Sequence, residues 1–243
     1  MIRAVIFDIG GPIDLEVAFE AAIDADMREG LQREGFAFDE ATWLAANRRA
    51  VDTCAPSLYR SVIWQLSEGD LAASLRIYDW MQERASQRNL FELRPGIRDV
   101  LEALQQRGLT LGLAANQPAT ALDDLAQPGI GHFFANPGVS GVYRLRKPDV
   151  RLFVRVCEDL GVEPEACIMV GDRIDNDIVP AKLLGMRTVR IRTGRHRDQQ
   201  PRSWDEVPDA EVEDAAGILT AASTCRCLFF DHCLAALSTG LDG

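Results

Sequence analysis

Short apolar runs punctuate the chain, and most stop at a polar or glycine-rich turn. Residues 4–7 (Ala-Val-Ile-Phe) end at Asp8 and then Gly10-Gly11-Pro12. Residues 109–115 (Leu-Thr-Leu-Gly-Leu-Ala-Ala) end at Asn116-Gln117-Pro118, and residues 167–170 (Cys-Ile-Met-Val) end at Gly171-Asp172. Residues 188–191 (Thr-Val-Arg-Ile) make a fourth run, placed nearer a sheet edge. Continuous apolar segments of this length, bounded by turn residues, predict buried strands. Between them the period lengthens. Ile97, Val100, Leu101 and Leu104 lie on one helix face, with Pro95 ahead as a start signal and Gly108 behind as a stop. Val150, Phe153, Val154, Cys157 and Leu160 repeat the pattern up to Gly161, and a third helix is expected over 174–184, ended by Gly185. Strands alternating with helices predict parallel βαβ units and an α/β, doubly wound sheet.

Residues 14–92 interrupt that alternation with helical faces only, such as Leu15, Ala18, Phe19, Ala22 and Ile23, then Leu71, Leu75 and Tyr78. They predict an all-helical insertion large enough for its own core, which Trp43, Trp64 and Trp80 are expected to build. The expected organisation is a core of residues 1–13 and 93–222, an insertion of 14–92, and a tail of 223–243. In the tail, Leu228-Phe229-Phe230 and Leu234-Ala235-Ala236-Leu237 suggest a short helix.

Composition narrows the classes. Lys plus Arg number 26 and Asp plus Glu 37, a net charge of −11, which opposes general binding of phosphate backbones and so of nucleic acid. No stretch reaches the ~18 apolar residues of a membrane span, and the early Asp8 argues against a secretory signal. Of six cysteines, Cys54, Cys157 and Cys167 read as buried thiols. Cys225, Cys227 and Cys233 lie beside His232 in a spacing that fits no zinc pattern. A reduced, cytoplasmic protein is the expectation. Arg187, Arg190, Arg192, Arg195, His196, Arg197 and Arg202 form a basic run. A solvated edge strand and loop is favoured over an anion-binding patch, because charged edges protect sheets from pairing.

The chemistry gathers at strand ends. In open α/β sheets ligands bind outside the carboxyl ends of the strands, so Asp8, Asn116 and Asp172 should converge. Asp177 opens the helix that follows Asp172, and Lys147 precedes Pro148 and another helix. Carboxylates are hard oxygen ligands for Mg²⁺, a lysine is a point charge for phosphate, and a carboxylate can attack phosphorus to give an aspartyl-phosphate. Asp175 is expected only to cap a helix.

The set resembles the haloacid dehalogenase (HAD) superfamily. The matching segments are Val-Ile-Phe-Asp-Ile-Gly-Gly (5–11), Leu-Gly-Leu-Ala-Ala-Asn (111–116), Arg-Lys-Pro-Asp-Val-Arg-Leu-Phe (146–153) and Val-Gly-Asp-Arg-Ile-Asp-Asn-Asp-Ile (170–178). The resemblance implies a Rossmann-like core with a helical cap. It implies Asp8 as nucleophile and Mg²⁺ ligand, Lys147 as the phosphate-binding cation and Asp172 as a metal ligand. Asp177 would hold a metal-bound water or orient Lys147. Two positions depart from the pattern. Gly10 stands where HAD phosphatases carry a second aspartate, keeping the carbonyl that ligates Mg²⁺ but losing the acid. General acid help of that kind is worth roughly 10²–10⁴ in rate. Ala115 replaces a phosphate-binding hydroxyl, leaving backbone N–H groups around Gly11 and Asn116 to cradle the phosphate. The implied function is a Mg²⁺-dependent phosphatase of a small phosphorylated metabolite. Two alternatives stand beside it: a catalytically degraded HAD fold kept for binding or regulation, and a metal-independent 2-haloacid dehalogenase.

Overall fold

The computed structural model describes residues 1–224. The cysteine-rich stretch from Cys225 and the apolar segments after it lie outside the described residues. The chain divides into two compact units. One comprises Met1–Leu15, Leu93–Thr193 and the described residues from Pro201 on; the other comprises Glu16–Glu92 and Gly194–Gln200. In chain order the helices are α1 (Val17–Arg33), α2 (Glu40–Asp52), α3 (Leu58–Leu66), α4 (Leu71–Ser86), α5 (Ile97–Gln106), α6 (Ala121–Ala126), α7 (Ser140–Tyr143), α8 (Val150–Leu160) and α9 (Val179–Leu183). Residues 215–224 are also helical.

The first unit is a five-stranded, all-parallel sheet: β1 (Ala4–Phe7), β2 (Thr110–Leu113), β3 (Cys167–Gly171), β4 (Arg187–Ile191) and β5 (Ala210–Val212), in the order β2-β1-β3-β4-β5. This is the doubly wound, Rossmann-like α/β arrangement. Every residue of β1 and β3 is buried, as expected of parallel strands covered on both faces. The winding reverses beside β1, with β2 on one side and β3 on the other, and such a switch point leaves a crevice at the carboxyl ends. α5 buries the periodic face read from the sequence, Ile97, Val100, Leu101 and Leu104, whereas α8 turns Leu152, Phe153, Val156 and Cys157 inward, so that of the expected face Phe153 and Cys157 are buried and Val154 is exposed. The Asp149 side chain caps α8 by accepting from Arg151 N at 3.0 Å, and Gly161 closes it in the left-handed region (φ 63°).

Several expectations are corrected. β4 is not the edge: β5, three residues long and too polar to register as a strand, lies outside it. The basic run is solvated only in part: Arg197 and Arg202 are exposed, but its β4 arginines are paired. Arg187, Arg190 and Arg192 meet Asp209, Glu211 and Glu213 at 3.0, 2.8 and 3.9 Å, pairs of opposite charge between β4 and the segment around β5. Arg190 is 1% exposed. The helix expected over 174–184 begins instead as a wide π turn, Ile174–Ile178, before α9. Asp175 does not cap it but pairs with Arg173 at 2.5 Å.

The second unit is built from α1–α4 around Ile23, Met27, Leu31, Trp43, Val62, Ile63, Ile77 and Met81. Asp39, Ser57 and Asp70 cap α2, α3 and α4 by accepting from Thr42, Arg60 and Ala73 N–H groups. Trp43 is buried and Trp80 packs against this core, but Trp64 is 47% exposed and does not belong to it. Gly194–Gln200 joins this unit through polar contacts that hydrophobic patterning does not reveal. Arg195 Nη2 donates to Asp24 Oδ1 at 2.8 Å and to the Glu20 carbonyl at 2.9 Å, and Nη1 donates to Asn47 Oδ1 at 3.1 Å. Among the described residues no helix is long and apolar enough to cross a membrane.

Candidate active site

Asp8 follows β1 directly and its backbone N–H continues the sheet by donating to the Val170 carbonyl at 2.8 Å. Its side chain is therefore fixed at the carboxyl end of the central strand. Asp172 follows β3, and Asp177 closes the π turn just beyond it. Carboxylate oxygens of Asp8, Asp172 and Asp177 lie within 4.8 Å of one another. Lys147 Nζ sits 2.8 Å from Asp8 Oδ2 and donates to Asp177 Oδ1 at 2.6 Å. The structure thus brings together four of the residues singled out in the sequence.

The other predicted residues are placed differently. Asn116 spends its side chain on Lys147: Nδ2 donates to the Lys147 carbonyl at 2.9 Å, and Oδ1 accepts from Lys147 N at 2.8 Å. It fixes the main chain that carries the lysine. Gly11 N–H donates to the Asp14 carbonyl at 2.9 Å within the turn after β1. Gly11, not Gly10, has left-handed backbone (φ 83°), and a Cβ on it would lie 2.8 Å from the Asp172 Cβ. Only glycine lets these two turns abut. Ala115 is fully buried, its N–H donating to the Gly138 carbonyl at 2.8 Å.

Exposure separates the carboxylates. The Asp177 side chain is fully buried, whereas that of Asp8 is 13% exposed. Both Asp177 oxygens are engaged, Oδ1 by Lys147 and Oδ2 by the Arg173 N–H at 3.0 Å. Asp8 Oδ1 accepts from the Ile9 N–H at 2.8 Å. Burial pushes the Asp8 carboxyl up to about 7 against the opposing pull of Lys147, with Asp177 and Asp172 adding repulsion. Burial likewise raises Asp177. Burial works against the Lys147 charge too, but Asp177 and Asp8 outweigh it and raise the ammonium pKa. Three carboxylates thus converge beside Lys147 in a nearly dry crevice, with the Arg173 guanidinium also attracted to Asp172 and Asp177. Such a set gains from a hard cation, and its oxygens are the donors such a cation takes.

Sequence reasoning missed three contributors: the Arg173 N–H on Asp177, and the side chains of Arg94 and Arg190. Arg94 Nε donates to the Gly11 carbonyl at 2.6 Å, and Arg190 Nε to the Asp172 carbonyl at 3.2 Å. No local signal marks an arginine for a carbonyl distant in the chain.

The motifs, sheet order and site agree with one family, and the chain belongs to it: the haloacid dehalogenase-like hydrolase model matches residues 2–185. Among curated relatives, glyceraldehyde 3-phosphate phosphatase of Methanopyrus kandleri is 38% identical over 120 residues, 49% of this chain and 52% of the relative. Phosphoserine phosphatase of Thermus thermophilus is 32% identical over 136 residues, 56% and 53% of the two chains. The chain thus spans about half the length of the curated relatives it matches. A crystal structure from Haemophilus somnus 129PT, described as a predicted phosphoglycolate phosphatase, superposes with TM-score 0.70 at 20% identity. It covers 91% of this chain and 98% of its own, and shows the shared fold.

Proposed function

We propose that this protein is a Mg²⁺-dependent phosphatase of a small phosphorylated metabolite, working through an aspartyl-phosphate on Asp8. The observation that carries the reading is the cluster of Asp8, Asp172 and Asp177 around Lys147 at the ends of β1 and β3. The relatives named phosphatases of glyceraldehyde 3-phosphate and phosphoserine support a small phosphomonoester as substrate. Asp8, the most exposed of the three carboxylates, attacks phosphorus; the P–O bond to the leaving alcohol breaks and an acyl phosphate forms. Water then hydrolyses it and restores the carboxylate. Lys147, held from both sides by Asn116 and Asp177, places its charge beside Asp8, where the transferring phosphoryl group would sit. The donor set fits Mg²⁺. Asp8, Asp172 and the Gly10 carbonyl would hold the ion, which supplies positive charge to the phosphoryl oxygens. Asp177, with both oxygens engaged, acts on Lys147 instead.

Gly10 supports a specific limit on this chemistry. With no carboxylic acid at that position, the leaving oxygen takes its proton from solvent, so substrates with acidic leaving groups react best. The same glycine, with Ala115, supports a second reading in which the fold binds a phosphorylated ligand without turnover. A panel of phosphorylated metabolites assayed with Mg²⁺ and with EDTA tests both, with Asp8→Asn as control. Metal-dependent phosphate release that Asp8→Asn abolishes is the expected result. Ligand binding with no release supports the second reading, and release that survives Asp8→Asn removes the nucleophile assignment.

A further inference from the structure

Two buried guanidiniums grip the site from behind. Arg94 is 7% exposed; its Nε donates to the Gly11 carbonyl at 2.6 Å and its Nη2 to Thr193 Oγ1 at 2.9 Å. It therefore ties the turn after β1 to the segment leaving β4. Arg190, the largest fully buried side chain among the described residues, donates from Nε to the Asp172 carbonyl at 3.2 Å and from Nη1 to Glu211 at 2.8 Å. It ties the turn after β3 to β5. The two gripped carbonyls belong to residues that abut, since a Cβ on Gly11 would fall 2.8 Å from the Asp172 Cβ and 3.0 Å from its Cγ. The two turns that carry Gly10 and Asp172 thus meet at one contact, and each is fixed there by its own arginine.

Burying an arginine is costly unless its donors are satisfied in good geometry. A surface turn held only by its own hydrogen bonds would spare the fold that cost. The planar fork of arginine spans two separate acceptors at a set angle, which a lysine cannot do. Mg²⁺ demands near-ideal oxygen positions and dehydrates reluctantly, so its affinity depends on how far the oxygens are set beforehand. We propose that Arg94 and Arg190 are positioning residues that preset the divalent-cation site by locking the Gly11 and Asp172 turns against each other. This rests on the metal reading given under the proposed function.

The test is a Mg²⁺ titration of the full, metal-stripped chain by calorimetry, well below its melting temperature. Wild type is compared with Arg94→Lys, Arg190→Lys and Arg190→Met. Arg187→Lys, at the far end of β4 from the site, is the control. Loss of partners that orient ligands typically weakens a metal about 10–100-fold. That weakening is expected in Arg94→Lys and Arg190→Met, with less in Arg190→Lys and none in Arg187→Lys. In turnover assays the Mg²⁺ requirement should rise more than the rate at saturating Mg²⁺ falls. If Arg190→Met does not fold, the two lysine variants, which keep the charge, carry the test. Folded Arg94 and Arg190 variants with wild-type Mg²⁺ affinity and merely lower melting temperatures would overturn the proposal while leaving the metal reading intact. A wild-type chain that binds no Mg²⁺ would overturn the metal reading itself, and the proposal with it.

Discussion

Two buried acidic sites, one in each unit, make different use of the same residue type. In the helical unit Asp26 is 1% exposed, and its two oxygens take three donors: Arg84 Nε at 2.8 Å, and Arg88 Nη1 and Nη2 at 2.6 and 3.0 Å. One negative charge faces two cations that keep part of their hydration. At the ends of β1 and β3, three carboxylates gather beside buried Lys147, which pairs with Asp8 and Asp177. Asp26 is a structural joint between α1 and the end of α4, whereas the Asp8 cluster sets three carboxylates within 4.8 Å of one another. Burial alone therefore does not mark a functional carboxylate. The convergence of several carboxylates does, because one cation can be held by all of them.

The contrast breaks most sharply on activity. Asp8→Asn should reduce phosphate release to assay background, since an amide neither attacks phosphorus nor holds a cation well. Asp26→Asn should leave kcat/KM of the folded protein unchanged. Equal losses in the two variants would erase the distinction.

Metal binding is the next largest effect. Mg²⁺ at a hundred times its Kd should stabilise the wild type by about 2.7 kcal/mol, seen as a rise in Tm. The rise should vanish in Asp172→Asn and persist in Asp26→Asn. A wild-type Tm indifferent to Mg²⁺ would count against the carboxylate cluster acting as a cation site.

Without metal the stability effects should have opposite signs. Asp26→Asn removes charge-assisted hydrogen bonds and should cost about 1–2 kcal/mol, at the lower end because Arg84 and Arg88 are partly exposed. Asp8→Asn relieves repulsion and should raise Tm at neutral pH. Calorimetric melting of both variants in EDTA checks this, and a destabilised Asp8→Asn would mean that Lys147 compensates Asp8 as fully as the arginines compensate Asp26.

What could be read from the sequence divides along the same lines. The strand ends were legible because parallel strands are buried on both faces and stop abruptly at turn residues, which marks Asp8, Asn116 and Asp172 at once. Lys147 and Asp177 followed from the motif around them. Asn116 was legible as a strand-end residue, but not as the partner of the Lys147 backbone, because that pairing depends on how two loops meet. β5 escaped because Ala-Glu-Val carries neither length nor alternation, and the Arg187–Arg192 stretch could not be matched with Asp209–Glu213 before that strand was known. Trp64 shows the limit of composition: an aromatic in a helical region reads as core, yet its face of α3 is open. Arg94 left no pattern and Arg190 only its place in the basic run, since their carbonyl partners lie 83 and 18 residues away in the chain.

The smallest effect concerns pH and tests the charge imbalance without adding any ligand. Burial places the Asp8 carboxyl at about 7 in the folded protein, against 3.8 for the unperturbed group. The folded state therefore keeps a proton that the unfolded chain releases. Stability rises with pH only where the unfolded state holds more protons, and here it holds fewer. The Asp8 contribution is thus fully present below about pH 4 and is lost as pH climbs towards about 7. In EDTA, the Tm of Asp8→Asn minus that of wild type should be smallest near pH 4 and grow until about pH 7, then level off. A change of about 1 kcal/mol moves Tm by about 2–4 °C in a chain of this size, so the trend is measurable by thermal melts in matched buffers. Using the difference between the two proteins removes the titration of every carboxylate they share, apart from the partners that couple to Asp8. Asp177, also raised by burial, remains in both and gains a less charged neighbour in the variant, which should steepen the difference. Asp26→Asn, melted in the same buffers, supplies the reference. Parallel curves for wild type and Asp8→Asn would show that Asp8 is ionised throughout and that Lys147 already balances it, which would remove the electrostatic reason for expecting a cation there.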